Sequence, residues 1–242
     1  MPIYENLVIG NFLFALGLKI GARRDDGLAR EHLAPNLAVN LLQQTPLDIV
    51  LGDVLLEGPS VVALLEFKRA ADRRKKERGK LVQIEALLER PKFQVLRTTS
   101  AQIHFYVETG DILEGGFSRV LPYLDLLTDD PGICLEQLID DLVSRARSTP
   151  ELTEKRREQC QRYLELICLC QGRSYRPSPG LLVGVRGDGR IAFAPVDDIR
   201  DLRTTFEKIR AYEIKLARKI TLKETQDIRL RHVQSRTLRQ SL

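Results

Sequence analysis

The stretch from Thr45 to Ala70, TPLDIVLGDVLLEGPSVVALLEFKRA, decides how this chain is read. Two apolar runs flank the turn-forming residues Glu57, Gly58, Pro59 and Ser60, a pattern that predicts a β-hairpin. Asp48, Asp53, Glu66 and Lys68 interrupt those runs, although strand interiors normally exclude charge. Pairing Leu56 with Val61 across the turn puts Leu51 opposite Glu66, with Asp53 one diagonal away on the same sheet face. Glu66 and Lys68 are two apart and share that face by the period of a strand. A wider loop from Leu55 to Pro59 puts Asp48 opposite Glu66 instead, and a one-residue slip reverses the parity. The tighter register, and with it Asp53, is preferred.

Two carboxylates brought together on a sheet are hard oxygen donors of the kind Mg²⁺ accepts while it keeps several waters and takes a phosphate oxygen. A lysine beside them would repel the metal if it were only a neighbour. Its use is to orient or help deprotonate a water and to stabilise negative charge on phosphorus. The structural alternative makes Glu66 and Lys68 a cross-strand ion pair on a solvated face and Asp53 a turn cap. Against it, the strand is otherwise apolar on both faces, where a solvated face should carry more polar residues.

An Asp on one strand, a turn, then Glu66-Phe67-Lys68 at the end of the apolar run VVALL and ahead of a helix resembles the PD-(D/E)xK, or restriction-endonuclease-like, nuclease superfamily. The resemblance covers roughly Leu28 to Leu88. It implies metal-dependent phosphodiester hydrolysis, with Asp53 (or Asp48) and Glu66 on Mg²⁺ or Mn²⁺ and Lys68 at the attacking water. Many members place a Glu on the helix before the first strand, a role for which Glu31 is the candidate and Glu5 a weaker one. Some carry a Gln on the helix after the lysine, which Gln83 matches.

Outward from the hairpin, Ile3 to Ile20 reads as a helix packed on several sides, with Gly10 and Gly17 spaced to permit a close contact. Its apolar part, Leu7 to Ile20, has no basic region before it, contains Asn11 and Lys19, and is shorter than the roughly 20 apolar residues of a membrane span. Leu28 to Gln44 reads as a second helix, with Leu33, Leu37, Leu41 and Leu42 on one stripe. Gln94 to Leu96 and Gln102 to Val107 read as strands, which gives a sheet of at least four. Helices are expected over Pro122 to Leu127, Leu135 to Ala146 and Glu151 to Leu169, then a hairpin around Arg186 to Arg190. From Asp198 the chain reads as a long charged helix.

The 242 residues carry 43% hydrophobic and 29% charged side chains, which excludes wholesale disorder and a multispan membrane protein. With 6% aromatic residues and no Trp, broad stacking platforms for single-stranded nucleic acid are not expected. The net charge of +5 is uneven: Arg203 to Leu242 holds eleven basic and four acidic residues, and Arg69 to Lys80 seven and two. Arg69, Arg73, Arg74, Lys75, Lys76 and Lys80 are therefore the candidates for holding a phosphate backbone. Cys134, Cys160, Cys168 and Cys170 lack the CxxC spacing of a zinc site and suit a reduced, cytoplasmic protein. His104 reads as a core or hydrogen-bonded histidine, and no Walker motif is present.

The expectation is an α/β protein whose mixed central sheet is flanked by helices, a nuclease domain over residues 1–195. A basic helical extension over 196–242 would serve docking, DNA contact or homo-oligomerisation. The expected activity is DNA cleavage, in a defence or repair assembly, with a partner protein choosing the target. The alternative is a non-catalytic nucleic-acid-binding or scaffold subunit.

Overall fold

The computed structural model describes residues 5–21, 37–42, 51–69, 75–110, 118–148, 150–170, 180–185, 191–198, 201–202 and 207. The chain divides into two units, Met1–Thr205 and Phe206–Leu242. In the second only Glu207 is among the described residues, so the C-terminal helix expected from the charge pattern lies outside them.

The first unit runs α1 (Glu5–Gly21), β1 (Ala38–Leu41), β2 (Val54–Glu57), β3 (Val62–Arg69), α2 (Lys75–Leu88), α3 (Val95–Ile103) and β4 (His104–Thr109). It continues with β5 (Ser118–Pro122), α4 (Leu135–Ala146), α5 (Glu154–Cys170), β6 (Gly180–Val185) and β7 (Ile191–Val196). Among the described residues the strands form one mixed sheet of seven in the order β5-β4-β3-β2-β1-β6-β7. The β3–β4 pair is parallel and every other pair antiparallel. A parallel pair needs a long crossover, and α2 with α3 supplies it.

Alternation along the strands sorts the two faces. Val54, Leu56, Ala63, Leu65, Phe67, Phe105 and Val107 join one core cluster with the buried sides of α1 and α4. Ring centroids of Phe12 and Phe67 lie 5.6 Å apart at the centre of it. The residues between them, among them Leu55, Leu64 and Tyr106, face the other way, and α3 packs on β3 and β4 beside α5 and α2. No helix among the described residues is long and apolar enough to cross a membrane.

Four expectations are corrected. Residues 38–41 form a strand, not part of a helix: β1 pairs with β2, with Ala38 opposite Glu57 and Leu41 opposite Val54. Leucines at 33, 37 and 41 suit a helical stripe equally well, and ladder pairing overrode that local pattern. Residues 95–103 form a helix where Gln94 to Leu96 was expected extended. Its buried residues Leu96, Thr99, Ser100 and Ile103 recur at helical spacing, a period that a three-residue window conceals.

The first helix buries one stripe only (Val8, Ile9, Phe12, Leu16 and Ile20) and leaves Leu7, Phe14 and Leu18 exposed. A Cβ at Gly10 or Gly17 would meet nothing within 4 Å, so neither glycine serves a close contact within the described chain. Lastly, the hairpin loop is tighter than expected. Gly58 and Val61 exchange backbone hydrogen bonds around Pro59 and Ser60, so Leu56 pairs with Ala63 and not with Val61. A shift of two preserves the face of every paired side chain and ends the ladder at Val54 opposite Leu65, with Asp53 just beyond the last pair.

Candidate functional site

At the end of β3, three of the sequence-selected residues meet. Beyond the last pair of the β2–β3 ladder, the Asp53 backbone N–H still donates to the Leu65 carbonyl at 2.9 Å. Asp53 Oδ2 then accepts the Phe67 N–H at 2.6 Å, a side chain taking over a donor that the ending strand leaves. The Lys68 ammonium lies 2.5 Å from Glu66 Oε1 and 3.7 Å from Asp53 Oδ2, and donates to the Phe67 carbonyl at 2.9 Å. Both carboxylate side chains are only 5% exposed, against 23% for Lys68. Burial works against the Lys68 charge, but the carboxylates of Glu66 and Asp53 outweigh it and raise the ammonium above its ordinary range, with Glu5 adding to them.

Gly52 makes this approach possible. Its φ of +151° disfavours any side chain, and a Cβ there would stand 3.0 Å from the Leu65 carbonyl and 3.1 Å from Glu66 Oε2.

The basic run divides. Arg69 ends β3, and its backbone N–H donates to Glu5 Oε1 at 3.2 Å. The weaker sequence candidate on the preceding helix therefore stands at the site's edge, while Glu31 and Asp48 lie outside the described residues. Arg73 and Arg74 also lie outside them, and Lys75 and Lys76 open α2. Lys80, expected to face an anionic backbone, is turned inwards instead. It is 8% exposed and its ammonium is 3.4 Å from Glu66 Oε2 and 3.3 Å from the Leu51 carbonyl. Gln83 is exposed, off the inward stripe of Glu77, Lys80, Leu81, Ile84 and Leu88. The α2 position that reaches the acid pair is thus Lys80, not Gln83. The signal was in the sequence: Glu77 and Lys80 are charges in register with the apolar stripe of an amphipathic helix.

Behind Lys80 lies a buried polar cluster that sequence reasoning did not find. The ammonium sits 5.3 Å from the centroid of the Tyr123 ring, whose hydroxyl donates to Glu77 Oε2 at 2.6 Å. Tyr123 stacks on His104 with centroids 4.0 Å apart and 4° between planes. His104 Nδ1 is 2.9 Å from the Tyr163 hydroxyl, which in turn is 2.6 Å from Ser100 Oγ. His104 is fully buried, as expected of a core histidine. Desolvation, and then the Lys80 charge, lower its pKa well below the ordinary value and keep it neutral.

Among the described residues no group of three or more His, Cys, Asp or Glu is arranged to hold a metal ion. What is present is a pair of carboxylates, with the carbonyls of Leu51 and Phe67 alongside, paired to two ammonium groups. These donors are all hard oxygens and fit Mg²⁺ or Mn²⁺ in kind, the ammonium groups satisfying them here.

The fold and site define a mixed α/β protein with a largely buried acid–lysine cluster at one end of a central strand. Comparison of the chain with protein-family models, curated proteins and solved structures gave no match.

Proposed function

We propose that this protein is a metal-dependent nuclease with a restriction-endonuclease-like core, hydrolysing phosphodiester bonds of DNA. The observation that carries the reading is the convergence of Asp53, Glu66 and Lys68 on one sheet face, the Lys68 ammonium within 3.7 Å of both carboxylates. Elsewhere in a sheet such a cluster would be costly: two carboxylates removed from water need charge partners or a cation to be tolerated. Glu5, on the helix before the first strand, supports the same reading, because its carboxylate reaches the end of β3.

In this mechanism Asp53 and Glu66 hold the divalent cation. When bound, that cation supplies charge neutralisation at the phosphate and a water of lowered pKa. Asp53 is oriented by the Phe67 N–H, so its carboxylate is fixed before a substrate arrives. Lys68, held charged by its neighbours, acts as a hydrogen-bond donor to the water or to the developing negative charge and not as the base. The basic residues Arg69, Arg73, Arg74, Lys75 and Lys76 are placed in sequence to hold the nucleic-acid backbone.

A second reading, a non-catalytic nucleic-acid-binding or scaffold subunit, draws on the observation that both Glu66 oxygens already have ammonium partners. Metal dependence separates the two. Plasmid, linear duplex, single-stranded DNA and RNA are incubated with Mg²⁺, Mn²⁺ or EDTA, with Lys68→Ala beside the wild type. Cutting that needs metal and disappears in the variant supports the nuclease, and the substrate that is cut gives its class. Binding that is equal in Mg²⁺ and EDTA, with no cutting, supports the scaffold.

A further inference from the structure

Of the two lysines on Glu66, one has room to leave and the other has none. Lys68 is 23% exposed at the end of a strand, so its ammonium can turn towards solvent or substrate. Lys80 is 8% exposed and projects from the middle of α2. The Leu51 carbonyl and Glu66 Oε2 receive it at 3.3 and 3.4 Å, and the Tyr123 ring lies beneath it. That ring is itself fixed by the hydroxyl contact to Glu77 and by the stack on His104. A charge so enclosed stays next to Glu66 whatever else binds there.

Resting on the nuclease reading, we propose that Lys80 is a built-in competitor of the divalent cation: it occupies one oxygen of Glu66 and holds the metal affinity of the acid pair down. The physical basis is Coulombic. Lys80 is a buried like charge one carboxylate away from the cation, little screened by salt, and the cation must share Glu66 with it. The ammonium also explains how the acid pair is tolerated without metal, since an unpaired buried carboxylate is strongly destabilising. Lys80 is thus a regulating residue of the site, acting through Glu66 and not on the reacting atoms.

The test is binding of Mn²⁺ alone to the full chain at pH 7, read by calorimetry and by the electron paramagnetic resonance of free Mn²⁺, without nucleic acid. Lys80→Met and Lys80→Gln remove the charge at similar and at shorter length, so that either one, if folded by circular dichroism, reports. Lys80→Arg keeps the charge. The neutral variants are expected to bind Mn²⁺ at least about tenfold more tightly than wild type, and Lys80→Arg within about threefold of it. Binding by the neutral variants alone, with none detectable in wild type, supports the proposal equally. Mn²⁺ binding by wild type that the neutral variants do not improve overturns this proposal and leaves the nuclease reading standing. Absence of binding in all four proteins overturns this proposal, and cleavage in Mg²⁺ against EDTA then decides the nuclease reading separately.

Discussion

Asp53 Oδ2 accepts the backbone N–H of Phe67 at 2.6 Å, so a side chain from one strand end continues the ladder of its neighbour where the β2 backbone has left it. This hydrogen bond helps to hold the carboxylate beside Glu66 and Lys68. Asp53→Asn keeps an amide oxygen that can accept the Phe67 N–H but loses the negative charge that the proposed mechanism sets against the cation. Asp53→Asn is expected to abolish cleavage, by a factor of about 10² or more, with Glu66→Ala and Lys68→Ala acting likewise. Asp48→Asn is expected to keep activity. Plasmid cleavage rates check this, and wild-type activity in Asp53→Asn would sink the assignment.

Gly52 is expected to be intolerant of even a methyl group. Its φ of +151° strains any L side chain, and a Cβ there would come within 3.0 Å of the Leu65 carbonyl, on another strand that cannot swing aside. Gly52→Ala should cost about 1–3 kcal/mol. The urea midpoint at constant m-value measures it, whereas Gly79→Ala in α2, where a Cβ meets nothing within 4 Å, should stabilise by about 0.4–1 kcal/mol.

The buried neutral His104 makes stability depend on pH in a definite direction. Its folded pKa is lowered by desolvation and by Lys80, so below the ordinary value of 6.5 the unfolded chain binds a proton that the folded chain refuses. Stability should therefore fall as pH drops below about 6.5, with a limiting slope of about 1.4 kcal/mol per pH unit from this residue. Denaturant unfolding of wild type and His104→Phe between pH 7 and 5 tests the sign. The variant, whatever its absolute stability, should lose that part of the slope, and an unchanged slope would refute the assignment.

The basic run should contribute to binding through charge alone. Replacing Arg73, Arg74, Lys75 and Lys76 with Gln is expected to weaken duplex DNA binding uniformly across sequences. The slope of log K against log salt should become shallower by about 0.9 for each phosphate that is no longer neutralised. Fluorescence anisotropy over a salt series, in the Lys68→Ala background that is expected not to cut, reads both quantities.

Much of this architecture was legible because local chemistry left few choices. The turn residues Gly58, Pro59 and Ser60 between apolar runs specified a hairpin, and the two-residue period placed Glu66 and Lys68 on one face before any pairing was known. The alternation also protected the assignment of Asp53 from an error in register: a shift of two residues changes which pair is opposite but not which face each side chain occupies. His104 in its core position, and the helices over Leu135–Ala146 and Glu154–Cys170, followed from pattern in the same way.

What only the tertiary structure decided lies wherever long-range contact outweighs local preference. The leucine-rich segment around Ala38–Leu41 became a strand because β2 and β6 offered it ladders on both edges, information absent from its own spacing. Lys80 sits in a run of cations, and its register with the apolar stripe of α2 marks it as inward without naming what it meets. It was singled out by the docking of α2, which turned that position, and not Arg78 or Gln83, towards Glu66. Tyr123, far from Glu66 in the chain, entered the site's support through β5, because strand order and not sequence distance sets what a buried charge can meet. The sequence by itself determined that Glu66 and Lys68 share one face, because strand periodicity is local, whereas the approach of Asp53 to them depended on the register of the hairpin. Which further charges close around them was decided by packing, because the cost of burying a charge is settled by the partners that the whole fold brings within reach.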